Sequence, residues 1–414
     1  MRLRKSAVAG LAAVAMLGAA CGSSKSASAG GGAGSAGGGG GSGSGAATTV
    51  GLFGDFTGLS ASGNQTSSLG VKAGIYEAGK EGVNIKFVKA DTQTSPTGAL
   101  SAAQQLVEQD HVSAVIAVSA LTFLAANYFK QHDVPVVGLA EDGGEWATDT
   151  NMFSTYGFLD PTKASTGAGQ FFKMEGATNI GALGYGISPQ SADAAKNTAV
   201  SARAAGLRVG YLNANFPFGS TNVAPIAIQM KDNGVNGIVS ETDPNTSFSL
   251  IQALRQNGDN LKVAVVPDGY GGDLSQAGPG AEQIGQGVYF TLSFEPVEMN
   301  TAATRQFQAA LKTAGVTGEP TYAEYGGYTS VALLVQALKK TGPNPSHAAL
   351  ISALSGITDF NAWGLLGSHS LSMADRAASN IGVDGCGYYT KLVGSKFQLV
   401  PGADPLCGTV IPGH

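Results

Sequence analysis

The sequence predicts an α/β protein with two doubly wound parallel-sheet lobes that face each other across a ligand cleft. From Thr49 onwards, short β-branched runs alternate with amphipathic stretches, which is typical of βαβ units in a parallel sheet. The 367 residues from position 48 to 414 exceed what a single hydrophobic core usually serves. The same pattern also recurs in two similar halves of the chain.

Residues 1–20 have the features of a secretory signal peptide. Three cations precede an apolar run from Ala7 to Leu17, which is too short to span a bilayer, and small residues follow it. Because Cys21 comes next, the segment resembles a bacterial lipoprotein signal in which the cysteine becomes the lipidated N-terminus. Such signals usually carry Leu three residues before the cysteine, where this chain has Gly18. An ordinary secretory signal followed by a chance cysteine is the alternative.

Residues 21–47 are predicted to be the lipidated cysteine and a disordered tether, since Gly and Ser dominate and little apolar surface can be buried. A flexible chain of this length has a span of about 25–30 Å. Without residues 1–20, the chain has 21 Lys and Arg against 29 Asp and Glu. This acidic balance argues against nucleic acid or anionic lipid as a partner, and we expect no second membrane span.

Strands are predicted where short β-branched runs are bounded by turn residues. These runs are 49–53, 84–88, 113–118, 134–139, 179–183, 208–212, 237–240, 262–266 and 287–291. Amphipathic stretches predict helices between them. These are 161–175, 192–205, 246–257, 301–314 and 322–340. A further helix is predicted to begin at Ser95, because Ser followed by Pro96 is a typical helix start.

Two stretches of the chain resemble each other. In residues 110–119 and 232–240, an acidic start leads through a strand to a serine, and the next strand ends in an acidic Gly-rich loop at 141–144 and 268–271. Either generic βα units are alike by chance or the two lobes are related. In open α/β sheets, ligands bind beyond the carboxyl ends of the strands. Two related lobes would therefore line one cleft with these loops.

Three segments together resemble a known family. Residues 50–63 (VGLFGDFTGLSASG) form a strand, a polar turn with Thr-Gly and a helix start; Asp91 is followed by Ser95-Pro96; and residues 322–329 (YAEYGGYT) open a long apolar helix. In order and spacing these segments resemble type I periplasmic binding proteins of the branched-chain amino acid (Liv-type) class. The resemblance covers about residues 48–400.

The resemblance implies two lobes joined by a hinge that the chain crosses three times. We expect lobe 1 to comprise residues 48–165 and 295–370, and lobe 2 to comprise residues 166–294 and 371–414. It also implies a binding protein and not an enzyme: a monomer without cofactor or metal that captures an amino acid or similar polar solute for the permease and ATPase subunits of an ABC importer. With the lipid anchor, the protein would sit outside the cytoplasmic membrane.

A bound amino acid needs donors for its carboxylate, and a helix N-terminus with hydroxyl groups supplies them. The segment from Ser119 to Thr122 lies at such a place, so we expect Ser119, Thr122 and the N–H of Ala120 to contact the ligand. The alternative is that the hydroxyl groups only cap the helix. In the resembled family an acidic residue after a strand of the second lobe receives the ligand ammonium. Asp268 matches that place, and a solvated loop acid is the alternative.

Other site candidates are less specific. Tyr185 follows a buried strand and either closes over the ligand or packs in the protein, and Thr242 lies where family members often place an aromatic residue. After the strand at 134–139, amino-acid binders usually present small and hydroxyl residues, but this chain has Ala140, Glu141 and Asp142. Carboxylates there would repel an anionic group and select a cation or a polyhydroxyl group, unless both point outward.

Cys386 and Cys407 remain if Cys21 is acylated, and an even number of cysteines outside the cytoplasm predicts a disulfide, with two free thiols as the alternative.

Three functions stay open: an importer's solute-binding lipoprotein, a ligand sensor of the same fold that signals to a membrane receptor, and a surface interaction protein with a vestigial cleft. The scattered histidines and the lack of a nucleophile-elbow motif give a metal or hydrolytic site little support.

Overall fold

The computed structural model describes residues 46–157, 160, 163–278, 280–374 and 385–413. The predicted signal peptide, Cys21 and most of the tether lie outside these residues. Two β-sheets form the centres of two lobes, each covered by helices, so the predicted α/β fold with two parallel-sheet lobes is confirmed.

The first sheet contains five parallel strands in the order β2-β1-β3-β4-β5. The strands are β1 (Thr48–Gly54), β2 (Ile85–Asp91), β3 (Ala114–Val118), β4 (Val136–Gly138) and β5 (Met152–Ser154). The helices that follow the strands of this lobe are α1 (Ala61–Asn64), α2 (Ser67–Lys80), α3 (Pro96–Gln104, extended by a π-helical turn at Gln105–Gln109), α4 (Thr122–Gln131) and α5 (Glu145–Thr148). Every residue of β3 is buried, as expected for a central parallel strand.

The second sheet has the order β12-β11-β10-β9-β8-β6-β7. Its strands are β6 (Asn179–Tyr185), β7 (Arg208–Phe216), β8 (Gly237–Glu241), β9 (Val263–Val266), β10 (Tyr289–Leu292), β11 (Cys386–Val393) and β12 (Lys396–Leu399), and a short β13 (Leu406–Cys407) pairs with β11. The helices of this lobe are α6 (Gly167–Met174), α7 (Pro189–Ala204), α8 (Ala224–Asp232), α9 (Pro244–Gln256), α10 (Gly272–Gln276) and α11 (Ala281–Ile284). The β11–β12 hairpin is antiparallel, whereas β6 to β10 are parallel.

The chain returns to the first lobe after β10. A 3-10 turn (Val297–Met299) leads to α12 (Ala302–Thr313), α13 (Tyr322–Thr341) and α14 (His347–Ser355), and a second 3-10 turn follows at Ala362–Gly364. Helix α13 packs closely along α2. Gly70 permits this approach, since a Cβ atom there would lie 2.1 Å from the carbonyl oxygen of Glu324. The chain then re-enters the second sheet as β11, which makes three passages between the lobes.

Most predicted elements are present, with ends shifted by a few residues. Ser95 caps α3, because its Oγ accepts a hydrogen bond from the N–H of Gly98 at 3.1 Å. Several elements were not predicted, including helices α8 and α14, strand β5 and the hairpin of β11 and β12. Strand β5 has only three residues and so leaves no periodic pattern, and the hairpin of β11 and β12 was missed although its strands flank Gly394-Ser395, a typical turn pair.

Cys386 and Cys407 form a disulfide, as predicted, and they are direct partners in the pairing of β11 with β13. Because the bond closes a loop across a sequence separation of 21 residues, we expect its removal to lower the free energy of unfolding by about 3 kcal/mol. Urea denaturation of the double variant Cys386→Ser/Cys407→Ser measures this loss. Reduced wild-type protein is the control and should lose a similar amount. An unchanged urea midpoint in both samples would contradict the prediction.

Candidate functional site

A cavity of about 400 Å³ lies between the two lobes at the carboxyl ends of their strands. The first lobe contributes residues from the loops after β1, β3, β4 and β5 and from the start of α13. These are Ser60, Asn64, Ala120, Glu141, Tyr156 and Tyr322. The second lobe contributes residues from the ends of β6 to β10 and from the loops that follow them, which include Tyr185, Phe218, Glu241, Thr242, Asp243, Asp268 and Ser293. The cavity therefore has the position that parallel sheets favour for ligands.

The lobes contact each other beside this cavity. The amide of Asn245 donates to Ser62 Oγ at 3.3 Å, and Gln65 donates to Gln276 at 2.7 Å. At another place, Ser188 Oγ donates to the carbonyl oxygen of Asp142 at 3.2 Å. These contacts join residues of the two lobes on either side of the cavity.

Four carboxylates line the cavity. Glu141 follows β4, Glu241 is the last residue of β8, Asp243 caps α9 and Asp268 follows β9. Burial, and then the charge of Asp243, raises the pKa of Asp268 to about 7. Burial and then Asp268 raise the pKa of Glu241 to about 7, and the same two causes raise the pKa of Glu141 well above its usual value. The site thus brings together acidic groups from both lobes, and burial and mutual repulsion disfavour their ionisation in the empty cleft.

Of the four carboxylates, Asp243 is the one that the described residues hold by hydrogen bonds. Asp243 accepts hydrogen bonds from the hydroxyl groups of Tyr185 and Thr246 and from the N–H of Thr246. By contrast, among the described residues, none donates a hydrogen bond to the carboxylates of Glu141, Glu241 or Asp268. Lys163 is the cationic residue in the described lining, and it pairs with Asp160 at 3.4 Å.

Asp55, which directly follows β1, occupies the place where we expected a ligand carboxylate. Its oxygens accept hydrogen bonds from Ser119 Oγ at 2.6 Å and from the N–H of Ala120 at 2.8 Å. Asn64 Nδ2 at 3.0 Å and the hydroxyl group of Thr92 are the other donors. Burial raises the pKa of Asp55, and the hydrogen bonds from Ser119, Thr92, Ala120 and Asn64 oppose this rise.

The remaining predicted residues of the first lobe contact other parts of the protein. Thr122 is buried and donates to the carbonyl oxygen of Ser119 at 3.1 Å, and Ala140 is buried in the apolar core. Asp142 accepts from the N–H of Phe123 at 2.8 Å and from the indole N–H of Trp146 at 3.1 Å. Its carboxylate therefore connects α4 with α5. Glu141 lines the cavity, and Asp142, the other acid of the predicted pair, does not.

In the second lobe, Tyr185, Thr242 and Asp268 all line the cavity. The Tyr185 hydroxyl group contacts Asp243 and also Thr246 at 2.8 Å. Thr242 Oγ1 lies 2.8 Å from Ser240 Oγ and is buried. Of the three, Asp268 is the residue whose side chain receives no hydrogen bond from a described residue.

Aromatic rings form much of the remaining wall. Tyr156 lies after β5, Tyr322 begins α13 and Phe218 follows β7. The Phe218 ring packs edge-to-face against Tyr185 with centroids 5.1 Å apart. Tyr156, Tyr322 and Phe218 were not predicted as lining residues. Tyr156 and Phe218 lie in loops without a periodic pattern, Tyr322 begins a helix that was predicted, and only the meeting of the two lobes brings the three rings together.

The sequence matches a family model described as periplasmic binding protein over residues 47–386. The chain belongs to the periplasmic binding protein family. This membership confirms the prediction of a binding protein and not an enzyme. No curated protein sequence matches the chain closely enough to count as a relative.

Solved structures of this family share the fold. The chain is similar to a solute-binding protein of an ABC transporter from R. palustris in complex with 4-hydroxybenzoate, with 19% identity, a TM-score of 0.69 and coverage of 86% of this chain and 96% of that chain. It is also similar to the branched-chain amino acid substrate-binding protein LivJ from Streptococcus pneumoniae in complex with isoleucine, with 20% identity, a TM-score of 0.69 and coverage of 88% and 99%. A substrate-binding periplasmic protein from Ralstonia solanacearum has 15% identity and a TM-score of 0.71, with coverage of 86% and 99%.

Within the described residues, no helix has the length and apolar character to cross a membrane.

Proposed function

We propose that this protein is the solute-binding component of an ABC importer and that it captures a small solute with a positively charged amine group. One observation carries this proposal: the carboxylates of Glu141, Glu241 and Asp268 face one cavity, come from both lobes and receive no hydrogen bond from the described protein residues. An ammonium group offers three donors and a compensating charge, so it would satisfy groups that the protein leaves unsatisfied.

The charge of the cavity also disfavours other ligand classes. The similar proteins from R. palustris and S. pneumoniae hold 4-hydroxybenzoate and isoleucine, which both carry a carboxylate. In this chain a ligand carboxylate would face the acids of the cleft, and like charges at close range in a partly buried site repel strongly. The aromatic rings of Tyr156, Tyr322 and Phe218 suit an amine further, because a cation is attracted to the face of an aromatic ring.

Closure of the two lobes would trap the solute. Glu141 belongs to the first lobe, whereas Asp268 and Glu241 belong to the second. A cation between them would bridge the lobes and relieve the repulsion that closure imposes on the empty cleft. As part of this proposal, Cys21 carries a lipid that anchors the protein outside the cytoplasmic membrane, and the permease and ATPase subunits of the importer receive the solute.

Thermal unfolding of the full chain tests the ligand class. We expect at least one of isoamylamine, agmatine, putrescine and tyramine to raise the unfolding temperature, since a ligand at 1,000 times its Kd stabilises by roughly 4 kcal/mol. The matched controls are leucine, arginine, tyrosine and 4-hydroxybenzoate, which carry a carboxylate. Stabilisation by these acids and by none of the amines would overturn the proposed ligand class and favour an amino acid or aromatic acid.

A further inference from the structure

We propose that Asp55 determines ligand specificity: its own side chain fills the pocket of donors that could bind a ligand carboxylate, so that the cleft accepts amines and rejects the amino acids related to them. The choice between amine and amino acid rests on the function proposed above. The filling of the pocket by Asp55 is an independent statement about the protein and has a test of its own.

Four donors converge on this one carboxylate. Ser119 Oγ and Thr92 Oγ1 donate to one oxygen, while the N–H of Ala120 and the amide of Asn64 donate to the other. A carboxylate has about four acceptor sites, so the four donors use its capacity in full. Asp55 is fully buried, and such a complete set of donors around a buried carboxylate is the arrangement that a bound carboxylate ligand would need.

The pocket adjoins the cleft. Asn64 and Ala120, which donate to the same Asp55 oxygen, also line the cavity between the lobes. Asp55 itself lies behind them, where the carboxyl ends of β1, β2 and β3 meet. Two of the four donors therefore lie in the wall of the ligand site, and all four are already engaged. A ligand that brought its own carboxylate to this wall would find no free donor among these four and would meet the Asp55 side chain.

The first experiment removes the Asp55 carboxylate from the pocket of donors. Asp55→Ala removes one carboxylate and leaves a methyl group, so formate has the size of the missing part. We expect the variant to unfold at a lower temperature than the wild type and expect sodium formate, but not sodium chloride at equal ionic strength, to restore several degrees in a saturable manner. Asp55→Gly removes one more carbon and should respond better to acetate than to formate. This reversal of size preference is a signature that a purely structural role of Asp55 would not produce.

Asp91→Ala is the matched control. Asp91 is the last residue of β2 and accepts hydrogen bonds from the N–H groups of Phe56, Thr57 and Gln93, but it does not line the cavity and is partly exposed. We expect no saturable response of this variant to formate. If formate and acetate fail to stabilise both folded Asp55 variants, or stabilise Asp91→Ala equally, the proposal is wrong.

The second experiment measures selectivity and covers the case in which the smaller variants do not fold. Asp55→Asn keeps the volume of the side chain and removes its charge. By calorimetry, we expect the ratio of the affinities for isoamylamine and leucine to fall by about tenfold, since repulsion of the leucine carboxylate is lost. An unchanged ratio would overturn the role of Asp55. If formate restores Asp55→Ala while the wild type binds no amine, the proposed ligand class fails and the filled pocket stands.

Discussion

The double variant Glu141→Gln/Asp268→Asn should bind the best amine ligand at least a hundredfold more weakly than the wild type. Both substitutions keep the side-chain shape and remove the charge, so the cavity volume is preserved. A hydrogen bond to a charged group contributes about 1.5–3 kcal/mol, and the variant loses two of them from opposite lobes. Isothermal titration calorimetry at pH 8, where the wild-type acids are most ionised, measures the change.

Two controls separate this effect from a general loss of charge. Glu282→Gln removes an acid from the exposed surface of α11 and should leave the affinity within a factor of about two, because exposed charges are screened. Each single variant should lose about tenfold or more. Wild-type affinity in the double variant, with both proteins folded, would show that the ligand does not contact Glu141 and Asp268.

The positions of the strands could be predicted because parallel strands are buried on both faces and read as β-branched runs between turn residues. The cleft followed from topology, since ligands bind beyond the carboxyl ends of such strands. For this reason the sequence alone predicts that Glu141 and Asp268 lie at the site, and both line the cavity. Their roles in binding remain predictions until a ligand is found.

The role of Asp55 could not be predicted from local sequence. It lies in the segment that resembles the family opening, yet its four donors come from positions 64, 92, 119 and 120, which only the folded sheet brings together. One signal was available: Asp55 directly follows β1, the neighbour of β3, and Ser119 directly follows β3. Parallel strands end at the same edge, so a carboxylate and a hydroxyl group at these two positions could have been paired.

For Asp142 the error was the opposite one: its sequence position predicted a ligand contact, but its carboxylate binds other parts of the protein. It follows Glu141 in the loop after β4, so both acids seemed equally able to reach the cleft. Neighbouring residues in an extended segment point in opposite directions. Glu141 lines the cavity, while Asp142 turns towards Trp146 and the start of α4. An indole N–H four residues along the chain is a donor that needs a buried partner, and this need could have indicated which acid is structural.

Amine binding should strengthen steeply as the pH rises from 5 to 8. A cation binds the ionised carboxylates, and the pKa values of Asp268 and Glu241 are raised to about 7. Each group is therefore mostly protonated at pH 5 and mostly ionised at pH 8, while an aliphatic amine with a pKa near 10 stays charged throughout. If binding requires one of these groups to ionise, the Kd falls by about 90-fold over this range, and the fall is larger if it requires both.

The free energy of unfolding of the ligand-free protein should fall as the pH rises, whereas amine binding strengthens. A carboxyl group whose pKa is higher in the folded than in the unfolded state contributes stability below its unfolded pKa and loses that contribution as the pH rises through the folded value. The window for Asp268 and Glu241 therefore runs from about pH 4 to pH 7. Thermal unfolding of the wild type and of Asp268→Asn/Glu241→Gln across this window isolates their contribution.

We expect the wild type to lose stability relative to this double variant by on the order of 1 kcal/mol or more between pH 4 and pH 8, and a saturating amine to remove the difference. Closure of an empty, ionised cleft is then the costly step, and the cation is what makes closure favourable. Parallel pH curves for the wild type and the variant, with and without amine, would mean that Asp268 and Glu241 titrate normally. The electrostatic basis of the proposed specificity would then be wrong.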